Sequence, residues 1–446
     1  MSLKVVKFGG SSLADANQFR KVADIIKSDD NRRFVVPSAP GKRFSDDIKI
    51  TDMLYKCFDL ACSNLDFDNE FETIKQRYND IISDLGVEIS LDSDFDSIKN
   101  ELKSKPNRDF AASRGEFLNG KILAAYLGFK FIDAAEIITF NTNGMLLLDE
   151  TVKKIRTKLE GISHAVIPGF YGSTTEGIVK TFSRGGSDVT GSILANAVKA
   201  SIYENWTDVS GFLVTDPRIV DNPDVISVIT YKELRELAYM GASVLHEDAI
   251  FPVRTAGIPI NIKNTNRPQD AGTMIVSDDH EFDDESSAHT ITGIAGRKGF
   301  SAINIEKAMM NSEMGFGMKV LKVLADNNVS FEHMPSGIDT MSILVDTASL
   351  TPVKDIVLAQ LRKEVEPDHL EIEDGVALLA VVGRRMKNTR GTVARIFAAM
   401  AHARINVKMI DQGSSELNVI IGVSETDLNE AIRRIYDMFI SSEKTE

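Results

Sequence analysis

"KVVKFGGSSL", Lys4 to Leu13, decides how the rest of the chain is read. Leu3, Val5 and Val6 supply the apolar run of a buried strand, and at its end stand a lysine, two adjacent glycines and two hydroxyl residues. Neighbouring glycines let the main chain turn sharply and let another atom come close, because no Cβ stands in the way. A phosphate is such an atom. The stretch has neither the G-x-x-x-x-G-K-[ST] spacing of a P-loop nor the G-x-G-x-x-G spacing of a dinucleotide fold. A phosphate bound here is held by another arrangement, and a tight strand-to-helix turn without a ligand is the competing reading.

The residues that follow extend the strand into a pattern. Phe19, Val22, Ala23, Ile25 and Ile26 share one face at helical spacing, and "RRFVVPSA" is a second strand ending at Ser38-Ala39-Pro40-Gly41. Short apolar runs alternating with helical patterns predict a largely parallel sheet covered by helices, whose strand C-termini bind ligands. From about Ser63 to Lys105 the pattern is helical and strongly acidic, a solvated insertion. Strand-like runs resume with "KFIDAAEII", "HAVIPGFYG", "GIVKTFSRGG", "ASIYENWTDV" and "IPINIKNT". In "TYKELREL", Thr230 followed three residues on by Glu233 is a capping box that starts a helix.

The stretch "SDDHEFDDESSAH", Ser277 to His289, is acidic and poor in apolar residues, so it is read as a linker with a domain boundary near 285. Beyond it the chain repeats. "GFGMKVLKVLADNNVSFEHM" from Gly315 aligns with "GTVARIFAAMAHARINVKMI" from Gly391 at an offset of 391 − 315 = 76 residues, placing Val320 on Ile396, Leu324 on Met400 and Met334 on Ile410. Each copy reads helix, strand, turn, strand, and with the helix in "TDLNEAIRRIYDMFI" fits a ferredoxin-like βαββαβ unit.

Composition bounds the partners. The 446 residues suffice for two or three domains, and 43% hydrophobic with 26% charged residues describe an ordinary globular protein. A net charge of −14 argues against nucleic acid or an anionic membrane surface as a partner. Cys57 and Cys62 lack CxxC spacing and no histidine cluster accompanies them, so no disulfide framework and no protein-held metal is expected. "MSLKVVKFGG" carries no basic region followed by an apolar signal core, and no run reaches membrane-spanning length. The cytoplasm is the expected compartment.

A second Gly-Gly lies in "TFSRGGSDVTGSILANAVKA", Thr181 to Ala200. Arg184 precedes the turn, and Ser187-Asp188 opens an apolar helix that either residue could cap. Capping does not call for a cation beside the turn, so two charged glycine turns facing one ligand is the alternative.

With "SRGEFLNGKILA", "WTDVSGFLVTDPR", "GASVLHEDAI", the paired repeats and "MIDQGSSE", these stretches resemble aspartate kinase of the amino-acid kinase family from about Lys4 to Ile440. The resemblance implies a three-layer αβα, carbamate-kinase-like domain over 1–284, with the helical insertion at about 63–105, and a regulatory region over 285–446. In that region two ACT domains interleave, the first at about 302–373 and the second built from about 290–301 plus 374–446. It implies transfer of a phosphoryl group from Mg-ATP to the side-chain carboxylate of L-aspartate. An ACT-based amino-acid sensor with an impaired kinase domain, or a kinase for another acidic amino acid, are the alternatives.

Residue by residue, the resemblance makes Lys7 and Asp188 catalytic, and gives ATP contacts to Lys7, Phe8, Gly9, Gly10, Ser11, Thr207, Asp208 and Arg218. Substrate binding falls to Ser38, Thr51, Glu116, Arg184 and Ser187, with Arg184 on the aspartate and Glu116 on its ammonium group. Met310, Glu313, Phe316, Gly317, Ser330 and Glu332 mark the effector site, for lysine first and threonine second, in a homodimer or larger assembly. The chain departs from the family at Leu213, often aromatic; at Ser243, usually a lysine reaching ATP; and at Glu247, commonly proline. Lys263 is a possible substitute cation.

Overall fold

The computed structural model describes residues 2–183, 185–241, 245, 247–280 and 289–441. They form two compact units. The first comprises Met1–Phe212, Val225–Tyr231 and Val244–Phe282, the second Leu213–Asp224, Lys232–Ser243 and Asp283–Glu446.

In the first unit the chain runs β1 (Lys4–Phe8), α1 (Ala16–Lys27), β2 (Arg32–Pro37), α2 (Ile50–Cys62), α3 (Asp68–Leu85), α4 (Asp92–Ser104) and α5 (Arg108–Leu127). There follow β3 (Lys130–Phe131), α6 (Ala134–Ile137), β4 (Thr139–Phe140), α7 (Leu148–Leu159), β5 (Ala165–Val166), β6 (Tyr171–Thr174), β7 (Val179–Thr181), α8 (Gly186–Val198) and β8 (Ile202–Thr207). Next come β9 (Val228–Thr230), α9 (Tyr231–Tyr239), α10 (Glu247–Thr255), β10 (Ile260–Asn264) and β11 (Thr273–Val276); α9 leaves the first unit after its first residue.

The main sheet has the order β3-β5-β2-β1-β8-β10-β11-β9, parallel except between β10 and β11. Along β1 the strand alternation sorts side chains to two faces. Val6 and Phe8 join the apolar cluster of α1, α3, α4 and α5, whereas Lys7 meets Asp188 of α8. Helices cover both faces, giving the expected three-layer αβα class.

The insertion is less solvated than its acidity suggests. Phe71, Ile74, Tyr78 and Ile81 of α3 recur at helical spacing and are buried in the same cluster as Phe95 of α4 and Val6 of the sheet. Only the opposite faces carry the carboxylates. In "KFIDAAEII" the expected single strand is broken by α6, because the Asp133 carboxylate accepts from the Ala135 amide and caps a one-turn helix.

The second unit contains β12 (Gly293–Glu306), α11 (Phe316–Asp326), β13 (Phe331–His333), β14 (Thr340–Asp346), α12 (Thr347–Leu350), α13 (Lys354–Val365) and β15 (His369–Val382), then α14 (Thr392–His402), β16 (Met409–Asp411), β17 (Asn418–Ser424) and α15 (Leu428–Tyr436). Its antiparallel sheet has the order β13-β14-β12-β15-β17-β16. β14 pairs with residues 300–306 of β12, and β17 with residues 376–382 of β15. Each long strand thus passes from one ferredoxin-like copy into the other. The register shifts at this crossing, where Gly299 has φ +93°, a left-handed conformation that suits glycine.

The repeat is visible in detail. α11 and α14 begin after Gly315 and Gly391, with φ +80° and +84°, at the offset 392 − 316 = 76. The strands are offset instead by 418 − 340 = 78, because six residues separate α14 from β16 where four separate α11 from β13. Met334 therefore does not fall on Ile410.

Two segments from the middle of the sequence are packed into this second unit. Ile294 N donates to Val214 O at 2.7 Å. The fully buried Glu233 of α9 accepts from Thr292 Oγ1 at 2.6 Å, from Arg384 N at 2.8 Å and from its guanidinium at 3.3 Å. A buried carboxylate with this many donors pins α9 firmly.

Candidate active site

The turn after β1 is packed against the loop after β2. Gly9 N donates to Trp206 O at 3.0 Å, and Gly10 opens a single 3-10 turn through Leu13. Gly41 N donates to Gly10 O at 2.8 Å. A Cβ on Gly10 would stand 2.9 Å from Ala39 O, and one on Gly41 2.6 Å from Gly10 C, so both positions require glycine. Phe8 is buried against Trp206, ring centroids 5.9 Å apart, and offers the site only its main chain. Ser11 is half-exposed in the turn, while Ser12 is tied by its hydroxyl to Thr265 Oγ1 at 2.7 Å.

Beneath this turn lies a buried charge cluster. Lys7 Nζ is 2.6 Å from Asp188 Oδ1 and 3.3 Å from Asn205 Oδ1, and Asn205 Nδ2 donates to Asp188 Oδ1 at 2.9 Å. The N-cap of α8 is Gly185, at φ +56°, with no side-chain cap. Asp188 therefore does not cap its helix; its carboxylate serves Lys7. Asn205 was not singled out by sequence reasoning. The available signal was an amide in the middle of a strand, where asparagine is disfavoured unless it has a specific partner. Ser187 is buried where Gly169 approaches within 2.6 Å of its Cβ, counting from a hypothetical Gly169 Cβ. The neighbouring Phe170 holds φ +79°, a conformation strained for a bulky residue, and sits over Gly186.

On the other side of the loop, α5 grips the peptide between Ser38 and Ala39 from both edges. Asn119 Nδ2 donates to Ser38 O at 2.7 Å, and the Glu116 carboxylate accepts from the Ala39 amide. Gly115 lets this loop approach, since a Cβ there would meet Ala39 Cβ at 2.8 Å. Burial pushes the Glu116 carboxyl up to about 8, against the opposing pull of the Ala39 amide, and Glu116 Oε2 is buried without a hydrogen-bond partner. Such an orphaned acceptor points to a missing donor. Thr51 lies in the first turn of α2 beside Ile50, which packs near Gly115.

The insertion reaches the same loop. Arg77 of α3, 5% exposed, donates to Ile48 O at 2.7 Å and to Gly41 O, and its guanidinium lies 3.3 Å from Asp47 Oδ2. Asp47 also binds Arg43 at 2.8 Å, and this bond first of all holds its carboxyl below the usual range. Arg77→Met is expected to lower folding stability by about 3 kcal/mol, read by urea denaturation, because it leaves the buried Gly41 carbonyl, the Ile48 carbonyl and Asp47 short of a donor.

At the end of β8, Thr207 Oγ1 donates to Asp208 Oδ1 at 3.2 Å, and Asn264 Nδ2 donates to Asp208 O at 3.2 Å. Arg218 belongs to the second unit, where it is exposed and paired with Asp216 at 2.6 Å. Arg184 and Ser243 lie outside the described residues, as does the side chain of Glu247. Leu213 likewise belongs to the second unit. Lys263 pairs in register with Trp206, so it faces the side opposite Lys7 and Asn205, where its Nζ donates to Asp270 O at 2.7 Å. In this arrangement it cannot stand in for a cation at the Lys7 face.

In the second unit, Met310 and Phe316 are buried in the core of the first repeat and leave a ligand only their main chain. Glu313 bridges Lys307 at 2.7 Å and Lys319 at 2.5 Å. Gly317 follows Phe316 in the first turn of α11, and Ser330 is exposed just before β13. Glu332 is 3.5 Å from the Arg297 guanidinium and accepts from Tyr239 Oη; desolvation raises its pKa.

The profile of the Amino acid kinase family matches residues 2–264, and that of the ACT domain residues 379–439. Aspartokinase 3 of Bacillus subtilis (strain 168) is 37% identical, over 98% of this chain and 99% of that protein. The crystal structure of Clostridium acetobutylicum aspartate kinase is 51% identical, with a TM-score of 0.90 over 98% of this chain and 100% of that one. E. coli aspartokinase III in complex with aspartate and ADP is 24% identical, with a TM-score of 0.69 over 98% and 99% of the two chains, and shares the fold.

Proposed function

The chain belongs to the amino acid kinase family, among its aspartokinases, and on that premise we propose how its residues carry the reaction. It phosphorylates the side-chain carboxylate of L-aspartate with ATP to give 4-phospho-L-aspartate, the first step towards lysine, threonine and methionine, under feedback control through its ACT domains. The observation that carries the site assignment is the Lys7–Asp188 pair, buried directly under the Gly9-Gly10 turn.

The attacking group is a carboxylate and already anionic, so no base is required. The task is to neutralise and align two anions. Lys7 meets the transferring phosphoryl oxygens, with main-chain amides of the glycine turn beside it, and Asp188 holds the lysine there. Glu116 Oε2 receives the substrate ammonium. Ser38, Thr51 and Ser187 line the acceptor side, Arg184 takes a substrate carboxylate, for which its planar fork is suited, and Thr207 and Asp208 meet the nucleotide. Mg2+ arrives on the nucleotide phosphates; among the described residues no group of three or more His, Cys, Asp and Glu could hold a metal ion.

The regulatory half senses an end-product amino acid, lysine first and threonine second. E. coli aspartokinase III, which shares the fold, has a solved complex with lysine and aspartate. Exposed Met309, Met314, Met318 and Ile338 give the second unit an apolar surface that suits a homodimer or larger assembly. Among the described helices none is long and apolar enough to cross a membrane, and Cys57 and Cys62 are free thiols, which fits a reducing cytoplasm.

The test is ADP release with Mg-ATP and L-aspartate, against L-glutamate, N-acetyl-L-glutamate and no acceptor, each with and without L-lysine or L-threonine. Aspartate-dependent turnover is expected; effector binding without turnover would leave a sensor. For the effector site, Glu332→Ala is expected to raise the lysine concentration for half-inhibition about tenfold, by removing a half-buried partner for an ammonium group. Unchanged inhibition moves the effector elsewhere.

A further inference from the structure

We propose that Asn205 is a positioning residue for the phosphoryl-transfer lysine, its amide locking Lys7 and Asp188 together so that one N–H of the ammonium is aimed at the glycine turn. This rests on the reading of Lys7 given above.

Asn205 is 4% exposed in the interior of β8. An amide there is unfavourable unless both ends find partners. Both do, and in only one orientation: the ammonium can only donate, so Oδ1 faces Lys7, and the carboxylate can only accept, so Nδ2 faces Asp188. The ammonium has three N–H bonds. One is directed to Asp188 Oδ1 at 2.6 Å and a second to Asn205 Oδ1 at 3.3 Å, which together fix rotation about the terminal bond.

The third N–H is then left with a defined direction. Lys7 Nζ lies 3.7 Å from the position a Cβ on Gly9 would take, so it sits immediately beneath the turn. With Asp188 alone, the ammonium could rotate about a single contact. The amide also donates to the same carboxylate oxygen that holds Lys7.

The experiment is a double-mutant cycle of Asn205→Leu and Lys7→Ala, with kcat and both KM values measured by ADP release. In the otherwise unaltered enzyme, Asn205→Leu is expected to lower kcat between about 10- and 100-fold, the value of hydrogen bonds to charged groups, with both KM values within about twofold. In the Lys7→Ala background the same substitution is expected to change kcat by less than about twofold, because the group it positions is gone. An equal fall in both backgrounds, or no fall in the first, overturns the proposal. If Asn205→Leu does not fold by thermal melting, Asn205→Ala replaces it in the cycle; it removes both ends of the amide without adding a charge beside Asp188, with the same outcomes read. Normal turnover of Lys7→Ala itself would instead overturn the role of Lys7.

Discussion

Lys7→Ala is expected to lower kcat by about three orders of magnitude, while the melting temperature falls by only a few degrees. The first half follows from the site's chemistry: both reacting groups are anions, and a preorganised donor in such a place is worth about 10²- to 10³-fold per hydrogen bond before its full charge is counted. Lys7 is 8% exposed, so water replaces it poorly. The second half follows from what remains. Asp188 keeps the Asn205 amide at 2.9 Å, and its side chain is 18% exposed, so the unpaired carboxylate is partly solvated. Lys7→Arg is expected to restore little, since a planar guanidinium is broader than the ammonium that sits beneath Gly9, where a Cβ on that glycine would stand 3.7 Å from the lysine nitrogen. Steady-state ADP release at saturating Mg-ATP and aspartate, with a melting curve on the same sample, decides it. Turnover near normal would remove Lys7 from the chemistry.

What the sequence made legible here is what local pattern encodes. The strand, glycine turn and helix of residues 4–27 are written in the alternation of Val5, Val6 and Phe8 and the helical face of Phe19, Val22 and Ile26. The repeat of the second unit is legible because both copies need the same glycine before the same helix. Less legible was anything set by contacts between distant residues. Asn205 gains its role only when β8 is laid beside β1, 198 residues from Lys7. Arg77 looks like one more surface charge on an acidic helix until the insertion packs against the β2–α2 loop. Segments 213–224 and 232–243 read as a continuation of the kinase sequence. Their hydrogen-bond partners, among them Thr292, Arg384, Asn418 and Arg433, stand far along the chain, and only the fold shows that they belong to the second unit.

Glu116 is expected to make aspartate binding depend on pH in a direction that follows from its surroundings. Its carboxyl is pushed up to about 8 by burial, so below that pH the empty site holds mostly the neutral acid. A substrate ammonium needs the carboxylate. Each pH unit below about 8 therefore makes deprotonation an added tenfold barrier to binding. KM for aspartate is expected to fall about tenfold per unit from pH 6 towards 8 and then to level off. The substrate-free protein moves the opposite way. Between the ordinary value of 4.5 and about 8 the folded state keeps a proton that the unfolded chain has lost, so its stability falls as pH rises through that window. Glu116→Gln removes both dependences. At pH 8 it should raise KM between about 10- and 100-fold by deleting a charged hydrogen bond, and the gap from the unaltered enzyme should close as pH falls, because there Glu116 is itself uncharged. Aspartate KM measured for both proteins across pH 6 to 9 tests the point, and parallel lines would mean that the ammonium binds elsewhere.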